Sequence, residues 1–335
     1  MNLSTKYLGL TLPHPLVAGA SPMVDEMDTV RKLEDAGCAA IVMHSLFEEQ
    51  ITREQLGTEM DMELHAEAFA EALSYFPQPK EYRLGPEQYL EQIRRMKAAV
   101  KIPVIGSLNG TSPAGWLNYA KLIEQAGADA LELNVYYLAT QAWETSESVE
   151  RRTLEGIRTV KQAVKIPVAV KLSPFYTSVA SVARGLEEAG ADALVLFNRL
   201  FEPEIDVEAL EVKRVLHLSD SSELPLRLRW LAILSSQRKI PLAISGGVHE
   251  TVDIIRALMA GATAVQLVST LLRNGPSRLM SLRASLERWL VEREYTSVRQ
   301  LRGSMNLKAC PDPSAYERAN YIHLLHGWRE HPGVS

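Results

Sequence analysis

The sequence predicts a closed barrel of eight parallel strands ringed by helices, the (β/α)8 or TIM barrel, and two recurring cassettes carry that prediction. In the first, a segment ends in Ala-Gly, two residues pass, and an alanine opens an apolar run: AGCAAIVM at 36–43, AGADALEL at 126–133, AGADALVL at 189–196 and AGATAVQL at 260–267. The second is KIPVIGS at 101–107, KIPVAVK at 165–171 and KIPLAIS at 239–245. Both read as a helix closing on glycine, or as the loop after one, that leads into a strand buried on both faces.

Taken in order, PLVAGAS opens the set as a strand at 15–21, and the Ala-Gly and Lys-Ile-Pro cassettes supply strands at 39–45, 103–109, 130–135, 167–173, 193–198, 241–247 and 264–269. Between them, apolar residues recur at three and four over 87–100, 114–126, 148–164, 178–189, 227–237, 250–260 and 277–293, the spacing of helices with one buried face. An open doubly wound sheet also alternates strand and helix. The count of eight, and the lack of an early GxGxxG, favour the barrel.

Length fits one domain over 1–335, since a barrel core of roughly 250 residues leaves room for loop insertions. A net charge of −5 gives no long-range pull toward nucleic acid or an anionic membrane. Two cysteines, Cys38 and Cys310, make no disulfide framework, and no apolar run reaches membrane-spanning length. MNLSTKYLGLTLP lacks a basic-then-apolar signal, so a cytoplasmic location is expected. Two insertions, 46–86 and 199–226, leave from strand ends on the face where such barrels work; they are candidate lids or dimer surfaces, and the expectation is a homodimer. The first should hold a helix at 60–73 and an ordered loop, SYFPQPKEY, at 74–82.

Catalytic groups of these barrels sit where strands end. Here the ends are polar: Gly19-Ala20-Ser21, His44-Ser45, Ser107-Leu108-Asn109, Asn134, Lys171-Leu172-Ser173, Asn198-Arg199, Ser245-Gly246-Gly247 and Val268-Ser269-Thr270. The last two suit a phosphate held by backbone N–H groups at Gly246, Gly247, Ser269 and Thr270. Lys171 falls inside a strand, where an unpaired ammonium is costly. It reads as the partner of a barrel carboxylate such as Glu132, as a Schiff-base lysine, or as a cation beside a reduced flavin. Asn109, Asn134 and Asn198 offer donors and acceptors for a flat heterocycle, or they cap loop backbone.

In this order along the chain, PLVAGAS, ELN at 132–134, VAVKLSP, FN at 197–198, SGGV at 245–248 and the Ser-Thr pair resemble the FMN-dependent dihydroorotate dehydrogenase family. VLFNRLFEPEID, HLS and LPLRLRWLAIL are similar to the group called dihydroorotate dehydrogenase-like proteins. The resemblance implies an N-terminal hairpin closing the barrel bottom and one FMN per barrel. It sets the ring against Ala18, Gly19, Ala20 and Ser21 with Asn109 and Asn134 at its edge, Lys171 beside it, and the phosphate at Gly246, Gly247, Ser269 and Thr270. Asn134 and Asn198 would face substrate.

Four departures matter. The family's second-strand lysine is His44, its Cys or Ser base after ELN is Tyr137, and a further substrate asparagine is replaced near Ala139. The glycine-rich phosphate segment after the sixth strand is also absent, with SSELPLRLR in its place. A tyrosine is a weaker base than a thiol by about 2 kcal/mol of deprotonation cost but a good proton donor. That turns the expectation toward reduction of an activated C=C bond of a pyrimidine-like substrate, with Tyr137, Lys171 and His44 in catalytic roles. Tyr137 or its neighbour Tyr136 could equally be an aromatic wall. With no cysteine cluster, any iron–sulfur relay would belong to a redox partner protein. A phosphate-ligand aldolase or isomerase using Lys171 would be colourless, whereas a non-catalytic flavin-binding subunit would be yellow and inert. HLLH at 323–326 has metal-ligand spacing without a third ligand nearby and reads as a solvated face.

Overall fold

The computed structural model describes residues 1–48, 85–110, 113–135, 137–199, 202–318 and 320–322. The helix expected at 60–73, the 74–82 loop, Tyr136 and the 323–326 motif lie outside these residues. The chain begins with an antiparallel hairpin, β1 (Thr5–Tyr7) and β2 (Leu10–Leu12), in the register Thr5 to Leu12. The barrel strands follow: β3 (Leu16–Ala18), β4 (Ile41–Val42) continued by β5 (Leu46–Phe47), β6 (Val104–Gly110), β7 (Ala130–Val135), β8 (Val168–Leu172) and β9 (Ala193–Leu196). A short antiparallel pair, β10 (Glu204–Asp206) and β11 (Glu211–Lys213), interrupts them before β12 (Leu242–Ser245) and β13 (Ala264–Leu267). Parallel pairing runs β4-β3-β13-β12-β9-β8-β7-β6, and β6 returns to β4, which closes the barrel.

The helices are α1 (Met27–Asp35), α2 (Pro86–Ala99), α3 (Pro113–Gln125), α4 (Ser146–Ala163), α5 (Val179–Glu188), α6 (Leu224–Gln237), α7 (Thr251–Ala260), α8 (Ser269–Asn274), α9 (Arg278–Glu292) and α10 (Val298–Leu301). Seven match the expected spans to within three residues. The periodicity did not pick out α1, α10 or the short α8, which starts at the residue where the eighth strand was expected to end.

The cassettes fold as their chemistry dictates. Gly37, Gly127, Gly190 and Gly261 all take positive φ, between 76° and 123°, which only glycine adopts at little cost. Asp129 and Asp192 of the Ala-Gly cassettes accept the N–H of Val104 and Val168, each at 2.7 Å, and pair with Lys97 and Lys161. Glu34 and Glu124 accept the N–H groups of Lys101 and Ile102, and of Lys165 and Ile166. One cassette therefore stitches the next.

Strand periodicity then sorts the barrel interior into floors. Val17, Val42, Ile105, Ala130, Ala169, Ala243 and Ala264 form an apolar lower layer with Tyr7, Leu8 and Leu12 of the hairpin, all buried. The small alanines leave the volume that the hairpin fills. Two residues further along the same strands stand Gly19, His44, Ser107, Glu132, Lys171, Ser245 and Gln266. The floor is dry and the ceiling polar. No helix among the described residues is long and apolar enough to cross a membrane.

Candidate functional site

In the polar upper layer, Lys171 Nζ lies 3.2 Å from Glu132 Oε1 and 3.3 Å from Gln266 Oε1, while Gln266 Nε2 donates to Glu132 Oε2. Lys171 is 5% exposed and Glu132 1%, so the ammonium has the carboxylate partner its burial demands. Gln266 is a member the sequence reading missed. It lies in an apolar strand, AVQL, and only the closed topology brings β13 across to β7.

One level up, the parallel register sets Asn109 beside Asn134 and Asn134 beside Lys171. Asn134 Nδ2 donates to Ser45 Oγ at 2.5 Å and to Ser107 Oγ at 3.1 Å, and these two hydroxyls lie 2.9 Å apart. With its NH2 committed, Asn134 offers its Oδ1, which is buried without a hydrogen-bond partner. His44 Nδ1 lies 2.7 Å from Asp25 Oδ1, and its ring meets Tyr89 edge-on at 5.3 Å. Tyr89 is held by Ser107, donating to its carbonyl and accepting its N–H. Ala20 and Ser21 follow β3 at the rim, and Ser21 is buried.

Asn198 is anchored by its N–H to the Leu172 carbonyl at 2.7 Å and is partly exposed. Tyr137 is set apart from the asparagine level by its partners. Its hydroxyl donates to both oxygens of Glu144, at 2.5 and 2.6 Å, and the Arg152 guanidinium lies 4.2 Å over its ring. Tyr137 and Glu144 line a cavity of about 530 Å³ with Ser173, Phe175, Tyr176 and Glu202, between the loops that follow β7, β8 and β9. Burial and Glu150 push the Tyr176 hydroxyl up to about 12. Both residues lie in the irregular loop between β7 and α4, so no periodicity announces this contact.

The third region lies beyond β12 and β13. Gly246 and Gly247 take φ of 85° and 76°, and a Cβ at Gly247 would sit 2.7 Å from the Leu224 nitrogen. Ser269 and Thr270 are buried, and Thr270 Oγ1 has no hydrogen-bond partner. The loop after β11 brings in a residue the sequence reading passed over: Ser219, 1% exposed, whose Oγ accepts the Gly247 N–H at 3.3 Å and donates to Ser269 Oγ at 2.9 Å. Ser219 ends the HLS motif at 217–219, just ahead of SSELPLRLR at 221–229, so a hydroxyl reaches the two loops from a stretch without glycine, whose neighbours His217 and Asp220 carry full side chains. Arg273 donates to the Leu218 carbonyl at 3.1 Å and holds the approach.

A barrel with donors gathered beyond its last two strands and amide groups ringing its mouth defines a site for a flat, phosphate-bearing cofactor. Comparison with known proteins agrees. The family model for dihydroorotate dehydrogenase matches residues 83–290, and the chain belongs to that family. Among its relatives are catalytic subunits of dihydroorotate dehydrogenase B (NAD(+)). That of Methanothermobacter thermautotrophicus is 29% identical over 227 residues, 65% of this chain and 73% of the relative. That of Thermoplasma acidophilum is 24% identical over 306 residues, covering 90% and 98%. That of Pyrococcus abyssi is 30% identical over 226 residues, covering 65% and 74%.

The protein is an FMN-dependent oxidoreductase of the dihydroorotate dehydrogenase type, acting on CH–CH donors. The residues present fit the cofactor. The partnerless Thr270 Oγ1 and Asn134 Oδ1 are what a phosphate and a mixed-edge ring require.

Proposed function

We propose that this protein reduces an activated C=C bond of a small pyrimidine-like substrate, within pyrimidine metabolism, and handles dihydroorotate poorly. FMN, when bound, supplies the hydride chemistry. In this reading Gly246, Gly247, Ser269 and Thr270 hold the phosphate, and Ala20, Ser21, Asn109 and Asn134 flank the ring. Lys171 keeps a cation at the ring edge, fixed by Glu132 and Gln266. Asn134 and Asn198 orient the planar substrate. His44, with Asp25 on its Nδ1, presents its remaining nitrogen where the family's lysine would stand. Tyr137 delivers its hydroxyl proton to the substrate carbon opposite the hydride; Glu144 holds that hydroxyl, and Arg152 pairs with Glu144.

The observation that carries this reading is the Tyr137 hydroxyl on the Glu144 carboxylate, an O–H donor at the position where the family places its base. The test is to reduce the holoenzyme anaerobically and offer orotate, uracil and related unsaturated rings. Return of the yellow oxidised spectrum with a ring other than orotate supports the proposal, whereas reoxidation by orotate alone is the dihydroorotate reaction run in reverse and overturns it. Bleaching of oxidised enzyme by dihydroorotate, with no reoxidation by any unsaturated ring, overturns it.

The assembly we infer is a homodimer in the cytoplasm, with a separate protein passing electrons to or from the barrel. The relatives' description as catalytic subunits of an NAD(+) enzyme supports the separate protein. The apolar residues exposed on β10, β11 and their turn, Ile205, Val207, Leu210 and Val212, support a protein contact on that face.

A further inference from the structure

His249 follows the SGGV turn, and its Nε2 lies 3.5 Å from Ser219 Oγ, the atom on which the Gly247 N–H and Ser269 Oγ already converge. Four groups from three separate segments thus meet at one point beyond β12. Of the neighbouring guanidiniums, Arg227 donates to the Ser245 and Glu223 carbonyls and Arg273 to the Leu218 carbonyl. A phosphate dianion seated among hydroxyls and amides calls for a cation close by.

We propose that His249 is a ligand of the FMN phosphate, taking a proton from solvent as the cofactor binds and donating it through Nε2. The proposal rests on the placement of the phosphate at the 246–247 and 269–270 loops.

The charged groups around the ring fix the direction of its pH dependence. Burial and Arg273 of α8 hold the imidazole below its usual range. Asp253 of α7 and Asp220 of the preceding turn pull the other way. Asp253 is committed to the N–H groups of His249 and Glu250 and to the Ser221 hydroxyl, and Asp220 to Ser222. Arg278 of α9 donates to the His249 carbonyl and pairs with Glu250, so it serves the backbone. In the free protein His249 is therefore neutral at pH 7. An arriving dianion raises its proton affinity, and the gain is full below the free value and is lost as pH rises through the bound one. One pKa unit of such a rise corresponds to a factor of ten in affinity.

Two measurements on holoenzyme test this, neither requiring turnover. Dilution with fluorescence of released flavin gives the FMN dissociation constant from pH 5.5 to 8.5 for wild type and His249→Gln. Wild type should hold FMN about tenfold more tightly than the variant at pH 6, and the two should converge at pH 8.5. The 31P resonance of bound FMN should titrate in wild type and stay flat in His249→Gln. Superimposable release curves, or an inflection that survives in the variant, overturn the proposal. Ser269→Ala tests the placement separately: it should displace the 31P resonance at every pH. A resonance unmoved by Ser269→Ala means that the phosphate lies elsewhere, and both the placement and the role of His249 fall.

Discussion

Replacing Lys171 by alanine removes the partner of a carboxylate that is 1% exposed. Glu132 would keep only the amide of Gln266, and a buried charge left this way costs about 3–5 kcal/mol. A domain of ordinary stability has about 5–15 kcal/mol in total, so a large share of the unfolding free energy should go. Urea unfolding of the holoprotein, followed by circular dichroism, reads this as a lower midpoint with an unchanged slope. Pairing the change with Glu132→Gln, which removes the stranded charge, should restore most of the loss. The flavin gives a second reading, because a cation at the ring edge favours the electron-rich form. Its loss should lower the two-electron potential by about 30–60 mV, on the scale where ~30 mV corresponds to ~1.4 kcal/mol. A midpoint within 1 kcal/mol of wild type, together with an unchanged potential, would refute both the buried pair and its role beside the cofactor.

Tyr137→Phe should leave FMN content unchanged and slow turnover by about 10²–10⁴-fold, the range for a lost general acid; flavin absorbance with single-turnover kinetics separates the two. Gly247→Ala places a Cβ 2.7 Å from the Leu224 nitrogen at a φ of 76°, and FMN occupancy after purification should fall at least tenfold. His14 donates from Nε2 to the Gly37 carbonyl at 2.6 Å and accepts the Leu16 N–H at Nδ1, and burial pulls it down to about 4. The unfolded chain, with its His near 6.5, then binds more protons between those values, so stability falls as pH drops through 6.5 toward 4, by on the order of 3 kcal/mol. Urea midpoints at pH 7 and 4.5 should show that loss, and His14→Asn should flatten the slope.

The eight strands were legible because each is buried on both faces and therefore reads as an unbroken apolar run with a glycine before it or a proline at its start. Helix α1 escaped because Pro22 and the charges at 25, 26 and 28 disguise a helix with only Val30 and Leu33 fully buried. Strands β10 and β11, three residues each, are too short for alternation to register. At the site, single-residue signals were readable: Glu132 was named as one partner for Lys171 and is its neighbour at 3.2 Å. Groups defined by closure were not. Gln266 reaches Glu132 across 134 positions, and Ser219 reaches Ser269 across 50, from the HLS motif, to which the sequence assigned no contact.

We propose that His44 and Tyr137 leave a working flavin site whose chemistry is not dihydroorotate oxidation. Anaerobic stopped-flow mixing of oxidised holoenzyme with dihydroorotate, following the loss of flavin absorbance, tests it most directly. Slow or negligible bleaching is expected, still slow in Tyr137→Cys because the second-strand cation is missing. Rapid and complete bleaching of the wild-type protein at micromolar dihydroorotate would contradict it.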